Sequence, residues 1–90
     1  MHRRRKIYAA NWKMNLNGED GADFIENIVP VARECEGEVI VFPATLYVQQ
    51  LAQAAAGTEV VIGAQNLFWE KEGAYTGEVS ADMIRDCGAK

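Results

Sequence analysis

Three short apolar runs recur along the chain, and two longer helical patterns separate them. The runs cover residues 6–10, 38–42 and 60–64, and polar side chains hardly interrupt them. Such runs are typical of strands in parallel sheets, because helices cover both faces of these sheets. Strands that alternate with helices run parallel through right-handed connections. The sequence therefore predicts an α/β fold in the order βαβαβ, followed by a long loop and a last short helix.

The first helical pattern begins beside Asn17, a residue type that often caps helices, and ends near Cys35. We expect Pro30 to kink or break this helix, because proline cannot donate a hydrogen bond to the Glu26 carbonyl. Apolar residues that recur at helical spacing predict its buried face: Phe24, Ile28, Val31 and Cys35.

Two further helices are expected. Thr45 is the predicted N-cap of a helix over residues 46–56, and Ser80 is the predicted N-cap of a short helix that ends at Gly88. The inner side of the second helix is predicted to carry Leu46, Gln50 or Leu51, and Ala54. Residues 65–78, which we call the long loop, show no consistent period and contain several glycines.

The charge balance and the cysteine spacing disfavour several classes of protein. Nine basic and thirteen acidic residues give a net charge of −4, and the basic residues cluster only in the first six positions, so we expect no nucleic-acid partner. No apolar run approaches the roughly 18 residues of a membrane span, so we expect neither a membrane helix nor a signal peptide. Cys35, Cys87 and the single His2 are far apart. We therefore expect no metal site, no disulfide and a cytoplasmic location.

Two architectures satisfy an alternating α/β pattern, a doubly wound sheet and a barrel. A doubly wound sheet usually has a glycine-rich phosphate loop after its first strand, whereas this chain has Asn-Trp-Lys-Met-Asn over residues 11–15. Nucleotide binding of that kind is therefore disfavoured. A barrel places its chemistry on the loops at the carboxyl ends of its strands, which is where Asn11 and Lys13 fall.

Two sequence blocks carry a resemblance to a known family. The first is Ala-Ala-Asn-Trp-Lys-Met-Asn over residues 9–15, and the second runs from Gly-Ala-Gln-Asn at 63–66 to Gly-Ala-Tyr-Thr-Gly-Glu-Val-Ser at 73–80. Together they resemble the N-terminal part of triosephosphate isomerases, although residues 41–46 depart from the proline-rich turn of that family. The resemblance implies one segment, 1–90, that forms the first three βα units of a TIM (β/α)8 barrel. Such a barrel needs about 250 residues, so it is incomplete in this chain.

The resemblance also implies a site and a reaction. Lys13 is the expected catalytic and substrate-binding cation, and Asn11 is expected to orient Lys13 and to contact a small phosphorylated triose. The catalytic histidine and glutamate of the family would both lie beyond Lys90, and no cofactor is implied. His2 cannot replace the histidine, because it precedes the first strand and would lie at the opposite end of a barrel.

A homodimer is the expected assembly, because the long loop of this family inserts into the partner subunit. The interface residues implied by the resemblance lie in two segments, Met14 and Asn15 in the first block and Tyr75, Thr76, Gly77 and Glu78 in the second. Trp12, by contrast, is expected in the core, because a tryptophan beside a strand end is more often packed than exposed.

A second reading of the chain stays open. It is a truncated α/β module without catalysis, which would only self-associate through the unpaired edges of its first and third strands. On either reading, we expect the 90-residue chain alone to be inactive. The coding sequence after Lys90 distinguishes the two.

Overall fold

Three parallel strands form one sheet in the computed structural model, which describes residues 4–90. The elements are β1 (Ile7–Asn11), α1 (Gly18–Glu34), β2 (Glu38–Phe42), α2 (Val48–Ala55), β3 (Val60–Ile62) and α3 (Ala81–Asp86). The strand order is β1-β2-β3, and the register places Val41 beside Ala10 on one side and Ile62 on the other. The predicted βαβαβα order is confirmed, as is the expectation that the first and third strands form the edges.

The core lies on the face of the sheet that α1 and α2 cover. Val41, Val60 and Ile62 point into it from the strands, and Ile25 and Leu51 meet them from the two helices. Alternate residues of the strands, such as Ile7 and Ile40, fall outside this cluster, as the period of two requires. Within residues 4–90 the sheet does not close, so the strands are covered mainly on one face.

Helix α1 begins where it was predicted but presents a partly different face to the core. The Asn17 side chain accepts a hydrogen bond from the Asp20 N–H at 2.8 Å, so Asn17 is the N-cap. Ile28 packs against the core as predicted, but Phe24 and Val31 are exposed, and the buried positions are Gly18, Gly21, Ile25 and Ala32. A Cβ on Gly21 would lie 2.9 Å from the Trp12 ring. Helix α1 therefore faces the core with Gly21, whose lack of a side chain leaves room for the Trp12 ring.

Of the kink or break predicted at Pro30, the break is wrong, because α1 runs from Gly18 through Pro30 to Glu34 as one helix. Pro30 and Glu26 both lie on the exposed side of the helix. Water can therefore satisfy the Glu26 carbonyl that proline leaves without a donor.

Helix α2 also departs from the prediction at its start. Thr45 does not cap it, because a short 3-10 helix, Thr45–Tyr47, comes first and α2 has no side-chain cap. The 3-10 segment rotates the helix relative to the predicted phase. Of the predicted inner positions, Leu51 is buried, whereas Leu46, Gln50 and Ala54 are exposed; the other buried positions of α2 are Val48 and Ala55.

The end of the described chain is closer to the prediction. Strand β3 is two residues shorter than predicted, although the Gly63 N–H still donates to the Val41 carbonyl at 2.9 Å. Ser80 caps α3, since its hydroxyl oxygen accepts from the Met83 N–H at 3.2 Å. The Lys90 N–H donates to the Ile62 carbonyl at 3.0 Å, on the free edge of β3.

Candidate active site

The loop that follows β1, which we call the lysine loop (residues 12–17), is anchored by a buried tryptophan. Trp12 is only 7% exposed and belongs to the core cluster, as predicted. Its backbone N–H donates to the Phe42 carbonyl at 3.1 Å, and its ring packs edge-on against Phe24. The residue after it is therefore held at the carboxyl end of the strands.

Lys13 lies at that position with its side chain exposed. Its φ is +54°, a left-handed conformation that is uncommon for a residue with a side chain. The Lys13 N–H donates to the Asn11 Oδ1 at 2.9 Å. The Lys13 carbonyl accepts from the Gln65 Nε2 at 2.8 Å. Both polar backbone groups of Lys13 are thus paired with side chains.

The charge of Lys13 is not neutralised within residues 4–90, where the one ion pair joins Arg5 and Glu38 at 3.7 Å. The ammonium group therefore faces solvent at the carboxyl edge of the sheet, together with the Asn11 amide. An anionic ligand at this edge would meet a fixed positive charge and amide donors. The structure thus brings Asn11 and Lys13 together through a direct hydrogen bond.

Gln65 contacts the lysine loop through a hydrogen bond that the sequence did not reveal. Its Nε2 donates to the Phe42 carbonyl at 2.9 Å as well as to the Lys13 carbonyl. The signal was its position just past the third strand, at the same edge as Lys13. That signal does not specify which groups the side chain reaches.

Met14 and Asn15 follow Lys13 on the exposed side of the lysine loop. Met14 is 95% exposed, which is unusual for so apolar a side chain. The Asn15 Nδ2 donates to the Trp12 carbonyl at 2.9 Å and so closes the loop on itself. Of the two predicted interface residues here, Met14 offers apolar surface and Asn15 stabilises the loop that carries it.

The long loop presents a second exposed surface. Its Phe68 ring stacks on Trp69, with 4.3 Å between the ring centroids. The centroids of Phe68 and Tyr75 are 4.5 Å apart. The Phe68 N–H donates to the Val79 carbonyl at 2.8 Å, which ties together the base of the loop. Trp69 is 81% exposed and Tyr75 is 44% exposed.

The predicted interface residues at the tip of the long loop are all exposed. They are Tyr75, Thr76, Gly77 and Glu78. The Glu78 N–H donates to the Tyr75 carbonyl at 3.0 Å, and Gly77 has a φ of +84°, so this segment forms a turn. Gln65, at the start of the long loop, joins this loop to the lysine loop.

The cysteines and the acidic residues add little to the site. Cys35 and Cys87 are free thiols; Cys87 packs against the core, whereas Cys35, predicted on the buried face of α1, is not among the residues that pack against it. Within residues 4–90 there is no group of three or more histidine, cysteine or acidic side chains that could hold a metal ion. No helix in the same range is long and apolar enough to cross a membrane. His2 lies outside the described residues.

Comparisons with known proteins identify one family throughout. The family model for triosephosphate isomerase matches residues 6–90. The chain is 39% identical over 85 residues to the triosephosphate isomerase of Caldanaerobacter subterraneus subsp. tengcongensis, covering 94% of this chain and 34% of that protein. It is 44% identical over 89 residues to that of Rubrobacter xylanophilus, covering 97% of this chain and 35% of that protein.

A solved structure agrees with these matches. The crystal structure of triosephosphate isomerase from Bartonella henselae superposes with a TM-score of 0.86 at 28% identity, over 96% of this chain and 35% of that chain. The chain spans about a third of the length of the relatives it matches, at 34% and 35% of two of them. The three parallel strands, the Asn-Trp-Lys-Met-Asn loop and these matches together show that the chain belongs to the triosephosphate isomerase family.

Proposed function

We propose that this chain is the N-terminal part of a triosephosphate isomerase, which interconverts dihydroxyacetone phosphate and D-glyceraldehyde 3-phosphate. The observation that carries the proposal is the placement of Lys13. This cation lies one residue past the buried Trp12, at the carboxyl edge of the sheet, with no carboxylate partner within residues 4–90. Barrel enzymes build their active sites at this edge.

The reaction moves a hydrogen between two adjacent carbons of the triose. A base removes a proton from the carbon beside the carbonyl, the carbonyl oxygen gains negative charge in an enediolate, and the proton returns to the neighbouring carbon. In this family a glutamate and a neutral histidine, both outside this chain, act in the proton transfers. Lys13 contributes a fixed positive charge near the oxygen on which negative charge develops.

Asn11 has a supporting role in this proposal. Its Oδ1 accepts the Lys13 N–H at 2.9 Å, which leaves its Nδ2 free to donate to the substrate. The net charge of −4 means that attraction for a phosphorylated substrate is local rather than global. Lys13 is the cation that supplies this local attraction.

The proposed assembly is a homodimer through the long loop. The exposed Trp69 and Tyr75 rings offer rigid aromatic surface of the kind that is enriched at interfaces. We expect the tip, Tyr75 to Glu78, to contact the lysine loop of the partner near Met14 and Asn15. The two free thiols suit a reducing compartment, so we propose a cytoplasmic location.

A chimera tests the proposed reaction. In it, residues 1–90 replace the matching first third of the Rubrobacter xylanophilus relative, with which the chain shares 44% identity. We expect the chimera to isomerise both trioses in a coupled assay, and the unmodified relative is the control. We expect the isolated 90-residue chain to show no turnover, because three strands do not close a barrel. A folded but inactive chimera would favour the non-catalytic, self-associating module instead.

A further inference from the structure

Gln65 connects the carboxyl ends of three strands through one side chain. It lies three residues beyond β3, and its Nε2 donates to the carbonyls of Lys13 at 2.8 Å and Phe42 at 2.9 Å. A side-chain amide group has two N–H donors, so these two bonds use both. The partners are 52 and 23 residues away along the chain, so both contacts depend on the tertiary fold.

The Lys13 backbone needs external support. A left-handed φ of +54° is unfavourable for a residue with a side chain and persists only where its surroundings hold it. No strand ladder supplies that support, because β1 ends at Asn11. The Asn11 side chain holds the Lys13 N–H, and the Gln65 side chain holds the Lys13 carbonyl.

We propose that Gln65 is a positioning residue for Lys13. By fixing the Lys13 carbonyl to the end of β2, it keeps the backbone in the conformation that directs the ammonium group toward the substrate. Gln65 acts through Lys13 and not by touching the reacting atoms. The inference rests on the proposed function, and it adds a residue outside the proposed catalytic set.

The test is a double-mutant cycle in the chimera with Gln65→Met and Lys13→Met. Methionine matches the length of glutamine but donates no hydrogen bond. We expect Gln65→Met to lower kcat tenfold or more while KM changes less than threefold, because misplacing a catalytic group weakens mainly transition-state contacts. In the Lys13→Met background, the same change should alter kcat less than twofold. The control, Gln49→Met on the exposed side of α2, should leave kcat unchanged.

A merely structural role for Gln65 gives a different pattern. The substitution would then lower kcat by the same factor in both backgrounds, and that result, or no effect in either, would overturn the inference. A second readout does not require turnover. The backbone chemical shifts of Lys13 report its positive φ, and we expect Gln65→Met to abolish that signature. Unchanged shifts would also overturn the inference, whereas an inactive chimera that keeps the Gln65-dependent shifts would contradict only the proposed reaction.

Discussion

The lysine loop follows the carboxyl end of β1 and the long loop follows that of β3, the two edge strands of one sheet, yet the two loops differ in which side chains they bury. Each contains one tryptophan: Trp12 is 7% exposed, and Trp69 is 81% exposed. The lysine loop buries its ring in the core and exposes a charge. The long loop stacks its ring on Phe68, 4.3 Å between centroids, and exposes apolar surface.

The difference lies in how each loop satisfies its backbone. Side chains of Asn11, Asn15 and Gln65 bond the backbone of the lysine loop at 2.8–2.9 Å, so its shape depends on specific partners. The long loop is closed at its base by the Phe68 N–H, and its tip is a glycine-containing turn. A closely held loop suits a fixed charge, and a projecting aromatic loop suits contact with another molecule.

Deleting residues 73–77 tests whether the long loop forms the dimer interface. In the chimera, this removes the tip with Tyr75, Thr76 and Gly77 but leaves every hydrogen bond of the lysine loop in place. We expect the dimer to become monomeric and its activity to fall, because the interface loses its projecting segment. Sedimentation velocity measures the change against the intact chimera. A full dimer after the deletion would contradict the interface role.

Replacing each tryptophan with alanine compares the two loops by their contributions to the free energy of unfolding. The expected effects are smaller than that of the deletion. We expect Trp12→Ala to lower the free energy of unfolding by about 3–5 kcal/mol, because a buried ring leaves a cavity. Trp69→Ala should cost under about 1 kcal/mol in unfolding of the subunit and should act on dimer dissociation instead. Urea titration and dilution experiments separate the two quantities. Equal losses of unfolding free energy would contradict the different roles of the two rings.

The sequence predicted the strands better than the helix faces. Residues 38–42 match β2 because apolar, β-branched runs need no tertiary information to be recognised. The predicted inner face of α1 was only partly right: Ile28 packs against the core, but Gly21, which carries no apolar signal, packs beside Trp12 and Leu51. That contact depends on where the lysine loop lies in three dimensions.

At the candidate site, too, local features were predictable and tertiary contacts were not. The position of Lys13 after a strand end, and the Asn-Trp-Lys-Met-Asn motif around it, were visible in the sequence. The contacts of Gln65 were not, because they require the ends of β1, β2 and β3 to converge. Local pattern thus predicts which residues reach the carboxyl edge, and the tertiary register determines which of them bond to each other.

The most direct test compares the two exposed lysines of these loops in the active chimera. Lys13→Met removes the charge of the lysine loop, and Lys71→Met removes a charge of the long loop. We expect Lys13→Met to lower kcat/KM at least a hundredfold, about 3 kcal/mol, because a fixed charge facing a developing oxyanion is worth that much. The fold should stay intact by near-UV circular dichroism, and Lys71→Met should leave kcat/KM within twofold. A Lys13→Met chimera within threefold of the parent would contradict the placement of this lysine in the active site.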